Sequence, residues 1–114
     1  MSSESLARCL GDIVHNIERI RRYTKGMSAK HFLADDKTQD AVERCLQRIS
    51  EAARRMGDAL DAKHPQLELA KLRQFGSVLR HDHGGVDADL IWSAVTRRLP
   101  LLEAACHRKL SAAD

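Results

Sequence analysis

Two long segments of the chain, residues 5–24 and 38–62, place their apolar side chains three and four residues apart. In the first, Leu6, Cys9, Leu10, Ile13, Val14, Ile17, Ile20 and Tyr23 have spacings of 3, 1, 3, 1, 3, 3 and 3. An α-helix gathers such positions on one face, whereas a half-buried strand needs alternation by two. In the second, Ala41, Val42, Cys45, Leu46, Ile49, Ala52, Ala53, Met56 and Leu60 form the stripe, and Asp40, Glu43, Arg44, Gln47, Arg48, Arg54 and Arg55 fill much of the remainder. Amphipathic helices this long bury their stripes only by packing on other helices.

The rest of the chain supplies those partners. Ser3 or Ser5 can cap the first helix, and Lys25-Gly26 stops it. A short helical turn is predicted after Ser28, over Ala29 to Leu33, with Asp35-Asp36 ending it and capping the second long helix. That helix should end before His64-Pro65, because the residue before proline is pushed out of helical ψ. A third helix is predicted over 66–80, with Leu69, Leu72, Phe75, Val78 and Leu79 inward and Gly76 in its interior. His81-Asp82-His83-Gly84-Gly85 breaks that pattern, Asp87 can cap a last helix, and Pro100 should kink or briefly break it before Leu101 to Leu110 continues. No repeat or polar linker divides the chain. The expected fold is all-α, an antiparallel bundle of four to five helices forming a single domain over residues 1–114.

Composition narrows the function. Only 4% of residues are aromatic, which argues against a base-stacking platform for RNA. Nineteen Lys and Arg against 16 Asp and Glu give a net charge of +3, which permits a nucleic-acid partner without demanding one. No apolar run approaches membrane-spanning length. The first residues lack a basic segment leading into a continuous apolar run, so a signal peptide is not expected. The three cysteines then read as reduced thiols in the cytoplasm. Cys9, Cys45 and Cys106 all fall on apolar faces, as small core fillers.

The densest polar cluster is Arg80-His81-Asp82-His83, at the end of the third helix. An imidazole moves protons near neutral pH, a neighbouring arginine can hold a phosphate, and a carboxylate can orient the ring. Those are the parts of a metal-independent ribonuclease; they are equally the parts of an ordinary helix C-terminus, whose carbonyls and dipole attract cations. A metal site is the poorer reading. His81 and His83 with Asp82 or Asp87 supply ligand atoms, yet positions i and i+2 diverge by about 200° on a helix. No cofactor motif is present, and none is expected. Two arginine-rich patches, Arg19-Arg21-Arg22 and Arg54-Arg55, are either solvated faces or tracks for RNA phosphates, and spatial clustering decides between them.

Four stretches together resemble the HepT-like proteins of the HEPN superfamily, over about residues 5–110: Asp12-Ile13-Val14 through Tyr23; Asp40-Ala41-Val42-Glu43-Arg44 leading to Ile49-Ser50-Glu51-Ala52-Ala53; Gly76-Ser77-Val78-Leu79-Arg80-His81-Asp82-His83; and Val86-Asp87 leading to Ile91-Trp92 with Leu99-Pro100-Leu101-Leu102. The resemblance implies a homodimeric ribonuclease, the toxin of a toxin–antitoxin module, whose partner is a minimal nucleotidyltransferase antitoxin. Its motif is an arginine, four to six residues, a histidine, then x-Tyr. His81 matches the histidine. Gly76 stands at the usual arginine, Ser77 at the usual asparagine, and His83 at the tyrosine that the partner adenylylates. Arg80, adjacent to His81, is the expected replacement cation, ahead of Arg73, eight residues before the histidine. Asp82 or His83 is expected to orient the imidazole, and Glu51 to support the site or a helix end. The other reading that the departures leave open is an inactive bundle that binds the nucleotidyltransferase.

Overall fold

The computed structural model describes residues 1–81 and 87–112, with side chains for 1–76 and 87–111. Among the described residues six α-helices run in the order α1 (Ser3–Thr24), α2 (Ala29–Leu33), α3 (Asp36–Met56), α4 (Leu69–His81), α5 (Ala88–Ser93) and α6 (Leu99–Ala112), with a 3₁₀ turn at Pro65–Leu67 and a π-helical stretch at Ala94–Arg98. No strand occurs among the described residues. The all-α bundle read from the apolar spacing is the observed architecture.

Helix α3 is the central element. It packs against α1 on one side and α4 on the other, and α6 closes on α1. Cross-helix contacts fix the directions. Asp12 meets Arg55, and Arg19 and Arg22 face Cys45, so α1 and α3 are antiparallel. Ser50 meets Leu72 while Arg73 reaches back to Asp61, so α3 and α4 are antiparallel too. Ile13, Ile17 and Ile20 of α1 interlock with Val42, Leu46 and Ile49 of α3, and Leu99, Leu102 and Cys106 of α6 complete the core. Phe32 of the short α2 is fully buried, its ring 5.1 Å from that of Trp92. Each fully buried side chain of this size contributes about 1.5–3 kcal/mol. Among the described residues no helix is long and apolar enough to cross a membrane.

Several boundaries are set by local chemistry. Ser28 caps α2 by accepting from the His31 amide at 3.1 Å, and Asp35 caps α3 by accepting from the Thr38 amide at 3.0 Å. Asp87 caps α5 through the Asp89 amide at 2.9 Å. Four expectations are corrected. The cap of α1 is Ser2, which accepts from the Ser5 amide, rather than Ser3 or Ser5. Helix α3 stops at Met56, well before His64-Pro65, because Gly57 turns the chain with φ +62° and donates its amide back to the Arg54 carbonyl. Leu60 is buried all the same, from the turns beyond Gly57. The third predicted helix begins at Leu69, after a 3₁₀ turn that Pro65 starts. Pro100 breaks nothing: the Leu99 amide bonds the Ala94 carbonyl, five residues back. This wider π turn absorbs the mismatch that a missing proline N–H imposes, and the chain runs helical from Ala88 to Ala112. Tyr23, on the expected apolar face of α1, lies at its rim and is 38% exposed.

Candidate functional site

Helix α4, which carries the Arg80-His81 pair, is pinned at two points, to α3 and to the segment that follows α3. The first is Ser50, 0% exposed, whose hydroxyl donates to the Leu72 carbonyl at 2.9 Å. A buried hydroxyl needs such a partner, and here the partner is the backbone of the neighbouring helix. The second is Arg73. Its guanidinium grips both Asp61 carboxylate oxygens, at 3.1 and 2.6 Å, and donates to the Gly57 carbonyl at 3.0 Å. That hydrogen bond holds the Asp61 carboxyl below the usual range and raises Arg73 in turn. The early end of α3 at Gly57 thus supplies the carbonyl that anchors α4.

By helical register Arg73, Gly76 and Arg80 share one side of α4, at spacings of three and four. Gly76 is buried. Arg80 and His81 are the last described residues of α4, given by their backbone. Asp82 and His83 lie outside the described residues. Glu51, next to Ser50, is on the exposed face of α3, with Arg54 at 3.6 Å. The structure therefore brings Ser50 and Arg73 to the anchoring of α4, while Glu51 lines the groove between α1 and α3.

Beside this contact, α1 and α3 enclose a polar groove of about 370 Å³. Asn16 lies in its wall, 5% exposed, with Nδ2 donating to the Asp12 carbonyl at 2.8 Å. Its Oδ1 is buried with no partner. Arg44, Arg48 and Arg55 line the opposite wall. Asp12 pairs with Arg55 at 2.8 Å at one end, and Arg44 donates to Gln47 at 3.2 Å. Adjacency in sequence groups Arg19-Arg21-Arg22 and Arg54-Arg55, and the structure splits both patches. Arg21 pairs with Glu103, Arg54 with Glu51 and Arg55 with Asp12. Arg19, Arg22 and Arg48 each lower the Cys45 thiol against the effect of its burial. The informative signal is helical spacing, which sets Arg44 and Arg48 on one wall of the groove, rather than adjacency.

The cysteines are buried free thiols, as their apolar positions imply. Burial pushes the Cys106 thiol up to about 11 and raises Cys45 despite the arginines beside it. Neither is an activated nucleophile. Glu43, on α3, is raised by burial and then by its neighbour Asp40. Glu18, Glu103 and His107 bring three possible ligand atoms within 4.8 Å of one another, with the Glu103 carboxylate already engaged by Arg21.

Comparison with known proteins adds a family. The profile of the family described as ribonuclease HepT-like matches residues 13–108. The chain is 33% identical over 94 residues to a protein of Thermococcus cleftensis named "Probable ribonuclease HepT", covering 82% of this chain and 86% of that protein. It is 31% identical over 100 residues to a protein of Methanocaldococcus jannaschii named as an RNase, covering 88% of this chain and 83% of the relative. A third, also named as an RNase, from Caldanaerobacter subterraneus subsp. tengcongensis, is 27% identical over 94 residues, 82% of this chain and 84% of the relative. No solved structure matches significantly.

Proposed function

Because the chain belongs to the HepT-like ribonuclease family, we propose that it is a metal-independent endoribonuclease and the toxin component of a toxin–antitoxin module. The observation that carries this reading is the family match over residues 13–108, which includes the whole of α4 and His81. His81 takes the proton of a ribose 2′-hydroxyl. The freed oxygen attacks the adjacent phosphorus, and the bond to the 5′-oxygen breaks. That oxygen leaves with a proton from a second imidazole, supplied by His81 of the partner subunit in a homodimer. Arg80 meets the charge that develops on the phosphorane. Arg73 supports this arrangement, since its fork is filled by Asp61 and it fixes the start of the helix that carries the pair. Asp82 or His83 orients the imidazole, and Glu51 supports the site or a helix end. The protein acts in the cytoplasm, and a minimal nucleotidyltransferase is its antitoxin. With His83 at the tyrosine position, that partner silences the chain by binding or by modifying another residue.

One observation favours a second reading. Gly76 stands where the family motif has arginine, and losing one preorganised donor typically lowers a rate about 10²- to 10³-fold. An inactive bundle that binds the nucleotidyltransferase is the alternative. Purified protein incubated with RNA in EDTA separates the two. The ribonuclease yields 2′,3′-cyclic phosphate or 3′-phosphate ends, and His81→Ala lowers its rate about 10²- to 10⁴-fold. Arg80→Ala lowers it at least about 10²-fold. Cleavage unchanged by His81→Ala identifies a contaminating nuclease. Absence of cleavage, with tight binding to a nucleotidyltransferase, selects the alternative.

A further inference from the structure

We propose that the groove between α1 and α3 is a binding track for the phosphodiester backbone of single-stranded RNA. The inference takes its ligand from the ribonuclease reading; the groove itself is argued from charge and geometry.

Two arginines of α3, Arg44 and Arg48, line this groove opposite Asn16 of α1. Arg44 and Arg48 stand one turn apart on α3, about 6 Å along the axis. Arg19 and Arg22 of α1, like Arg48, bear on the charge at Cys45, so positive charge continues past the groove. Among the described residues neither Arg44 nor Arg48 has a carboxylate partner, whereas Arg21, Arg54, Arg55 and Arg73 each have one. The acids that line the groove, Asp12 and Glu51, face Arg55 and Arg54. Two like charges one helical turn apart repel, and an anion relieves that repulsion. The guanidinium fork matches phosphate oxygens two at a time. Repeated cations one helical turn apart match a polymer of phosphates better than a single anion. The groove wall is also incomplete in hydrogen bonding, with the Asn16 carbonyl oxygen buried and unpartnered. A polar ligand that brings donors suits such a wall, and a hydrocarbon surface does not. An RNA strand brings both, phosphates for the arginines and ribose hydroxyls as donors. The low aromatic content fits the same mode, since backbone contacts need no stacking platform.

The test uses the full chain carrying His81→Ala, so that binding is measured without cutting. Fluorescence anisotropy with a labelled single-stranded RNA oligonucleotide of about 20 nucleotides gives Kd across a salt series. Adding Arg44→Gln and Arg48→Gln together should weaken binding at least tenfold. The slope of log K against log salt should become shallower by about 1.4, the value for two lost phosphate contacts on a single strand. Arg97→Gln, on the exposed π stretch, should leave Kd within twofold. Circular dichroism should show all variants equally folded, because the substituted side chains reach the surface. If the double variant keeps its affinity and slope while the wild type cleaves RNA, the groove proposal is overturned and the ribonuclease reading stands. If the wild type neither binds nor cleaves RNA, both fall.

Discussion

Replacing two glycines with alanine should move stability in opposite directions, and the difference is entirely conformational. Gly11 lies in the exposed middle of α1, and Gly57 turns the chain at the end of α3. An added Cβ meets nothing within 4 Å at either position, so sterics with neighbours cancel from the comparison. At Gly11 the backbone is helical, and alanine stabilises by about 0.5–1 kcal/mol because it restricts the unfolded chain and favours the helix. At Gly57 the backbone sits at φ +62°, ψ −141°, where L-residues are strained by about 1–3 kcal/mol. Subtracting a gain of about 0.4–1 kcal/mol from the unfolded state leaves a net loss of about 1–2 kcal/mol. Unfolding entropy is about 2 cal/mol/K per residue, or roughly 240 cal/mol/K for 114 residues, so each kcal/mol moves Tm by about 4 °C. Gly11→Ala should therefore raise Tm by about 2–4 °C, and Gly57→Ala should lower it by about 4–8 °C. Urea titration gives both as free energies. If Gly57→Ala relaxes its backbone, the carbonyl that accepts from Arg73 turns away, and hydrogen exchange in α4 should accelerate before global unfolding. A neutral or stabilising Gly57→Ala would refute the claim that this turn requires glycine.

Core truncations should rank by enclosure. Ile13→Ala should cost about 4–5 kcal/mol, near the top of the usual range, whereas Leu46→Ala should cost about 2–3, because Leu46 also lines an open groove of about 440 Å³ between α3, α4 and α5; the reverse order in urea melts would mean the core is misassigned. Two carboxyl groups should respond to pH with opposite signs. Asp61 has a depressed folded pKa, so its contribution is present above the unfolded value of about 4 and is lost as pH falls through the folded one. Asp61→Asn should destabilise at pH 7 and converge with wild type in strong acid. Glu43 has a raised folded pKa, so its charged form opposes folding, and stability falls as pH rises through the window just above about 4.3. Glu43→Gln should stabilise at pH 7 and have little effect below that window; thermal melts against pH check both, and a parallel shift at every pH would remove titration as the cause. The thiols of Cys45 and Cys106 should ignore a thiol reagent at about pH 8 until the chain unfolds, and rapid native labelling at either would contradict their burial.

Features that local chemistry decides alone are legible in the sequence. The α1 stripe, the Ser28 cap over Ala29–Leu33 and the Asp87 cap depend on residues within one or two turns, and the structure contains all three. The end of α3 is harder to read because two stop signals compete. The proline rule favours His64-Pro65, but Gly57 acts first, and a glycine with positive φ closes a helix wherever the chain must turn back. Pro100 misleads for a subtler reason. A proline excludes one hydrogen bond of an α-helix, yet a five-residue hydrogen-bond ring just before it removes the conflict with no loss of continuity. The arginine groove is invisible as a unit, because its residues come from two helices whose register is set only by packing.

The same distinction bears on the cation of the candidate site. On sequence, Arg80 and Arg73 compete for the place left by Gly76, and proximity to His81 is the only ground for preferring Arg80. The structure adds an argument that distance along the chain does not supply. Both Arg73 terminal nitrogens are taken up by Asp61, and one also serves the Gly57 carbonyl. To bind phosphate, Arg73 would have to abandon the contact that fixes α4, and with it the placement of His81. Arg73→Ala should therefore impair cleavage through stability, with activity returning at lower temperature as α4 is restored. Arg80→Ala should impair the chemical step at every temperature at which the chain is folded. Assaying both variants from about 10 to 40 °C alongside their melting curves separates these cases. A cold-insensitive loss in Arg73→Ala, with a fully folded chain, would transfer the phosphate role to Arg73 and show that its grip on Asp61 opens when RNA binds.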